Sequence, residues 1–190
     1  TPVVSSAASD VYKRQDIKVG INVLRNDGIA ALSIAEATKS NFVRINVLNN
    51  TMFTDQGIIE GKSYEINQFK STLNNVVEIY ADVFVKHAVP APGSKIENHA
   101  KELIDRAGAD VVIVTGDGTG HEINMDDLEK VRNIVPEGKL AIGSGVNATN
   151  VGAYQDIADI LIIGTSFKFD NIVSKKVDIN RVEEIVRKVK

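Results

Sequence analysis

Six short runs rich in valine and isoleucine recur along the chain: IKVGINVL (17–24), FVRINVL (42–48), VVEIYADVFV (76–85), DVVIVTG (110–116), LAIGSGV (140–146) and ILIIGTSF (160–167). Each has the length and β-branched content of a strand. Between them, apolar residues return at helical spacing: Ile29, Leu32, Ile34 and Ala35; Ile59, Tyr64, Ile66 and Phe69; Ile96, Ala100, Leu103 and Ile104; Leu128, Val131 and Ile134. Alternating strand and helix signals describe βαβ units on a parallel sheet. Successive strand starts fall 25, 34, 34, 30 and 20 residues apart, close to one βα unit each.

Where polar residues interrupt the runs, they do so with period two. Arg44 and Asn46 alternate with Val43, Ile45 and Val47; Tyr80, Asp82, Phe84 and Lys86 alternate with Ile79, Ala81, Val83 and Val85. The aliphatic set suits the helix-covered face, which leaves the polar set pointing into a barrel. The tetrapeptide Ile21-Asn22-Val23-Leu24 returns as Ile45-Asn46-Val47-Leu48, which puts Asn22 and Asn46 in comparable positions on neighbouring strands. A (β/α)8 barrel usually needs about 250 residues, so six units describe part of one. The predicted fold is therefore α/β, a TIM barrel fragment containing six βα units, strands 3–8, without strands 1 and 2. A six-stranded flavodoxin-like sheet is the alternative.

Residues 1–15 (TPVVSSAASDVYKRQ) are rich in small and hydroxyl side chains and lead into a strand with no helix signal. They read as a non-native or disordered leader, and residues 16–190 as the partial barrel domain. A formal charge of −3 argues against general binding to nucleic acid or anionic lipid. With no cysteine, disulfides and thiolate metal sites are excluded, and a cytoplasmic location is expected. No apolar run approaches the roughly 20 residues needed to span a bilayer.

The last two predicted strands end in Gly143-Ser144-Gly145 and Gly164-Thr165-Ser166. In barrels, the loops after strands 7 and 8 often hold a phosphate on backbone N–H groups, and glycine lets the anion approach. Lys168 follows and can add charge, and Asn147 to Asn150 can cap the next helix. Thr115 and Gly116 lead into the glycine loop GDGTG, with His121 and Glu122 beyond it as acid–base candidates. That loop is not a nucleotide-binding loop of the Gly-Lys-Ser/Thr kind. Asp82 and Lys86 lie four apart on one strand face, beside His87. A lysine there can form a Schiff base or hold a phosphate, and an aspartate can act as a base. Asp82 can equally form a buried ion pair with Arg44. Asp27 reads as a helix cap or as a ligand contact. The polar stretch 49–57 reads as a loop and candidate lid, with Asp55, Gln56 and Glu60 as its contacts. The spacing of His87, His99 and His121 matches no metal set, and no motif asks for a cofactor.

In combination these motifs resemble the BtpA/SgcQ family. GINVLRND looks like its third-strand signature, and RINVLNNTMFTDQGIIEG like its fourth strand and long loop. ADVFVKHA, IVTGDGTG, IGSGVNATNV and IIGTSFKFDN follow in order, so the resemblance covers roughly residues 16–190. It departs at Asp117, where a small residue is expected. The resemblance implies a ribulose-phosphate-binding type of barrel. The expected activity is on a small phosphorylated sugar or nucleoside-type ligand, as a nucleosidase, lyase or isomerase. Asp82, Lys86, Asn46 and Arg44 are the catalytic candidates, the two glycine turns hold phosphate, and Asn22 and His87 face the substrate. One branch of the family instead implies a non-catalytic factor for biogenesis of a membrane complex of the photosystem I type, in peripheral contact with the membrane. A homo-oligomer is the expected assembly of the full-length protein.

Overall fold

The computed structural model describes residues 17–85, 87–116 and 123–189. In chain order the elements are β1 (Gly20–Ile21), α1 (Gly28–Thr38), β2 (Phe42–Ile45), β3 (Thr51–Thr54), β4 (Gly57–Glu60), α2 (Ser63–Lys70), β5 (Glu78–Asp82), β6 (Ala88–Pro90), α3 (Ile96–Asp105), β7 (Val111–Val114), α4 (Met125–Arg132), β8 (Leu140–Ile142), α5 (Val151–Gln155), β9 (Ile160–Leu161) and α6 (Ile179–Lys188). Two 3-10 turns, Thr165–Phe167 and Phe169–Asn171, lie between β9 and α6.

All six predicted apolar runs supply strands of one parallel sheet, ordered β1-β2-β5-β7-β8-β9. Each crossover steps to the next neighbour and the order never reverses. A flavodoxin-like sheet must reverse at its switch point, so this order excludes it and describes consecutive strands of a (β/α)8 barrel.

Side-chain alternation divides the apolar residues as the sequence predicts. Val43, Ile45, Ile79, Ala81 and Val83 are buried in the large cluster shared with the helices. Tyr80, Val111, Ile113 and Ala141 form a second cluster on the concave side, where Phe42 stacks on Tyr80 with ring centroids 4.3 Å apart. Phe84 leaves the expected face. The strand ends at Asp82, and Phe84 turns to the helical layer to pack on His99 of α3.

The stretch read as a polar loop is instead a β-hairpin. Thr51 to Thr54 pair with Gly57 to Glu60 across a turn at Asp55 and Gln56, and Ala88 to Pro90 add a third antiparallel strand. Gly57 takes φ +113°, a conformation that L side chains rarely adopt. Ile59, assigned to a helix by its spacing, lies in β4, and Tyr64 is exposed on α2. Asp27 caps α1, its carboxylate accepting from Ala30 N at 2.9 Å.

Candidate functional site

Neighbouring strands carry Asn22, Arg44, Asn46 and Asp82 to one end of the concave face. Arg44 donates to Asp82 from Nε at 3.1 Å and from Nη2 at 3.0 Å, a fork-on-carboxylate pair. Asn46 Nδ2 donates to Asp82 Oδ2 at 2.7 Å. Asn22 Nδ2 donates to Asn46 Oδ1 at 3.2 Å and to the Arg44 carbonyl at 2.8 Å. The Asp82 side chain is 0% exposed and that of Arg44 is 19% exposed. Such a pair stands its desolvation only because additional donors satisfy the carboxylate. Asp82 thereby fixes the plane of the guanidinium.

That plane abuts the first glycine turn. A Cβ placed on Gly143 would lie 3.3 Å from Arg44 Nη2, 2.6 Å from Ile113 Cγ2 and 2.8 Å from Thr115 Cγ2. Residue 143 has room for a hydrogen only, and the arginine takes the rest of the space.

The two glycine turns meet. Gly143 to Gly145 after β8 and Gly164 to Ser166 after β9 line one cleft of about 750 Å³, together with Arg44, Asn171 and Arg181. The backbone N–H groups of Gly145, Gly164, Thr165 and Ser166 have no hydrogen-bond partner among the described residues. Among the described residues no aspartate or glutamate lines the cleft. Free amides beside positive charge are the groups to which an anion can be held. The serine hydroxyls act inside the wall: Ser144 Oγ accepts from Gly116 N at 2.7 Å, and Ser166 Oγ donates to the Val146 carbonyl. Asn147 Oδ1 organises the turn by accepting from Thr149 N at 2.8 Å and Asn150 N at 3.2 Å.

Lys168 does not line the cleft; its backbone bridges to Val177. The charge on that side is Arg181, in the first turn of α6, at the start of the highly charged segment RVEEIVRKVK. The signal was available: Arg181 lies four residues before buried Ile185, on the same face of the helix.

The other candidates lie elsewhere. Asp55 and Gln56 form the exposed hairpin tip, where Arg25 donates to Thr54 Oγ1 at 3.1 Å and lies 3.6 Å from Asp55. Glu60 faces an open cavity beneath the hairpin, shared with Asp27 and Lys62. His87, exposed with φ +61°, lines a cavity of about 180 Å³ with Asn46 and Thr54, between hairpin and barrel. With Thr115 and Gly116 it also lines one of about 380 Å³ that reaches Asn124 and Asp127. Thr115 Oγ1 itself donates to the Phe84 carbonyl at 2.8 Å. Lys86, Asp117, His121, Glu122 and the leader 1–15 lie outside the described residues.

Behind the end of β5, His99 is 6% exposed, and neither ring nitrogen makes a well-formed hydrogen bond. Burial pushes its pKa below the ordinary histidine value, against the opposing pull of Glu102 and the Val83 backbone. Among the described residues no three His, Asp or Glu side chains gather as a metal would require, and no helix is long and apolar enough to cross a membrane.

Comparison with known proteins agrees with this architecture. The barrel of 3-hexulose-6-phosphate synthase from Salmonella typhimurium superposes with a TM-score of 0.65 at 14% identity, over 96% of this chain and 78% of that one. Phosphoribosylanthranilate isomerase from Thermotoga maritima gives 0.64 at 11% identity, over 100% and 83%. At these identities the likeness is one of fold. In sequence, an uncharacterized protein of Pyrococcus horikoshii is 41% identical over 98% of this chain and 71% of its own length. The Photosystem I biogenesis protein BtpA of Synechocystis is 37% identical over 97% of this chain and 65% of its own. The profile of the BtpA family matches residues 3–190, and the chain belongs to that family.

Proposed function

We propose that the cleft between the two glycine turns binds the phosphate of a small sugar- or nucleoside-type ligand, and that the protein is an enzyme acting on that ligand. The observation that carries this is the set of amides at Gly145, Gly164, Thr165 and Ser166 that have no partner among the described residues, in a cleft those residues line with two arginines and no carboxylate. A phosphate monoester offers three terminal oxygens to such donors. The rest of the ligand then extends toward Arg44, which Asp82 holds rigid, and toward Asn46. Asp82 acts there mainly by orienting Arg44, because its oxygens already accept from Arg44 and Asn46. Lys86, four residues along from Asp82, is the candidate for proton transfer or a Schiff base. Two fold neighbours are named for work on phosphorylated compounds, in keeping with this assignment.

Thermal unfolding of the full-length protein against a panel of phosphate esters tests it. A sugar phosphate should raise the midpoint, and Gly164→Asp should abolish the shift by placing a negative charge at the amides. Gly164→Ala is the control, because a Cβ there meets nothing within 4 Å. No shift with any ester would count against the phosphate site.

The name of the Synechocystis relative favours a second reading, a scaffold for biogenesis of a membrane complex. Stable association with such a complex that survives Gly164→Asp would support scaffolding over catalysis.

A further inference from the structure

The basic residues of α6 divide into two kinds. Arg187 pairs with Glu183 at 2.9 Å and Lys188 with Glu184 at 3.2 Å, each one turn earlier, and Lys188 also donates to the Ala148 carbonyl at 2.8 Å. Arg181 runs inward. Its Nε donates to the Ser166 carbonyl at 2.8 Å and its Nη2 donates to Asn171 Oδ1. Both acceptors are neutral, and both belong to residues of the glycine-turn cleft. Among the described residues no carboxylate lies within ion-pair distance of Arg181. The other cation of the cleft, Arg44, is matched by Asp82. Among the described residues, the uncompensated charge of the cleft is therefore that of Arg181.

A half-buried guanidinium with only neutral partners is costly unless an anion joins it. Tethering through Nε and one Nη leaves the remaining N–H groups in a fixed fork, a geometry that suits phosphate oxygens and that lysine cannot reproduce. The tether also ends on Ser166, whose own amide is one of the free donors. Guanidinium and amides thus sit on one short segment and are placed together.

We propose that Arg181 is the charged ligand-binding residue of this cleft and selects a phosphate monoester over a carboxylate or an uncharged ligand. This rests on the anion-site reading above. A carboxylate brings one charge and two oxygens, too few to engage both the fork and the amides. A phosphoryl group brings three terminal oxygens and up to two charges.

Titration calorimetry on the full-length protein, with inorganic phosphate and ribose 5-phosphate as probes, tests the assignment. Arg181→Gln keeps a donor for the Ser166 carbonyl but removes the charge. It should weaken ribose 5-phosphate binding by about tenfold or more and flatten its dependence on salt. Arg181→Lys should recover part of the loss, and Arg187→Gln should stay within about twofold of wild type. Failure of the wild type to bind either probe would overturn the anion site and this assignment with it. Wild-type binding that Arg181→Gln leaves unchanged in strength and salt dependence would overturn the role of Arg181 alone. A fall in the unliganded melting temperature with unaltered salt dependence would likewise reduce Arg181 to a staple between α6 and the loop.

Discussion

The side-chain amide of Asn26 grips the backbone of Val47 from both sides. Its Oδ1 accepts from Val47 N at 2.8 Å and its Nδ2 donates to Val47 O at 2.7 Å. One side chain thus replaces a strand residue and continues the β1–β2 pairing past the end of the short β1. The clamp sits next to Asn46, so it sets the height at which Asn46 meets Asp82. Asn26→Ala should cost about 1–3 kcal/mol, since it strands a buried donor and acceptor. Asn26→Asp should cost a similar amount, because it loses the donor to the Val47 carbonyl. Urea unfolding followed by circular dichroism measures both; a change below about 0.5 kcal/mol, the ordinary surface value, would show that water replaces the clamp.

The Arg44–Asp82 pair separates stability from binding. Asp82→Ala leaves the guanidinium mostly buried without its counter-ion, and should destabilise by about 3–5 kcal/mol. The double replacement Arg44→Met with Asp82→Leu should recover most of that loss, because well-packed apolar side chains of similar volume often match a buried ion pair. It should nevertheless bind sugar phosphate more weakly, since the Arg44 N–H groups are gone. A double replacement as unstable as Asp82→Ala would mean that the concave face needs the charges to fold.

Gly143 and Gly164 both lie in the turns that follow successive strands, yet they should respond differently to a methyl group. At Gly143 the new Cβ would meet Ile113 and Thr115 at 2.6 and 2.8 Å and press on Arg44. Gly143→Ala should therefore cost about 1–3 kcal/mol through overpacking and weaken ligand binding by displacing the guanidinium. Gly164→Ala should leave the melting temperature within a degree or two of wild type. Equal stability of the two variants in parallel thermal scans would show that the strand end at Gly143 is looser than its contacts indicate.

Long-period features of the sequence carried most of the architecture. The six apolar runs became the six parallel strands, and the period-two polar residues Arg44 and Asp82 took the concave face, since a one-residue shift would expose Val43, Ile45 and Ile79. The paired glycine turns were equally legible, because consecutive parallel strands in a barrel must end at the same rim. Features shorter than one period were lost. The four-residue strands TMFT and GIIE hold too few alternations to stand out, and what locks them is Gly57 and pairing with distant Ala88 to Pro90. Ile59 kept helical spacing with Ile66 although a strand ends at Glu60 and the helix starts only at Ser63. Arg181 was hidden by composition: RVEEIVRKVK is so charged that the inward position of one arginine shows only when the helix is phased on Ile185.

His99 gives the fold a pH dependence whose sign follows from its burial. In the folded chain its pKa lies below the ordinary histidine value, chiefly because the charged ring would be desolvated behind β5. The unfolded chain exposes the ring and takes up a proton as pH falls through about 6.5. Between that value and the lower folded pKa the unfolded state binds more protons, so stability declines as the solution is acidified; above it the contribution is complete. His99→Phe removes the titration and can keep the packing against Phe84, whose ring centroid lies 5.2 Å away. Unfolding free energies measured from pH 7.5 down to pH 5 should fall more steeply for wild type than for His99→Phe. Parallel curves would mean that the imidazole is already hydrated in the folded protein. That would in turn loosen the end of β5, where Phe84 leaves the strand and turns onto α3.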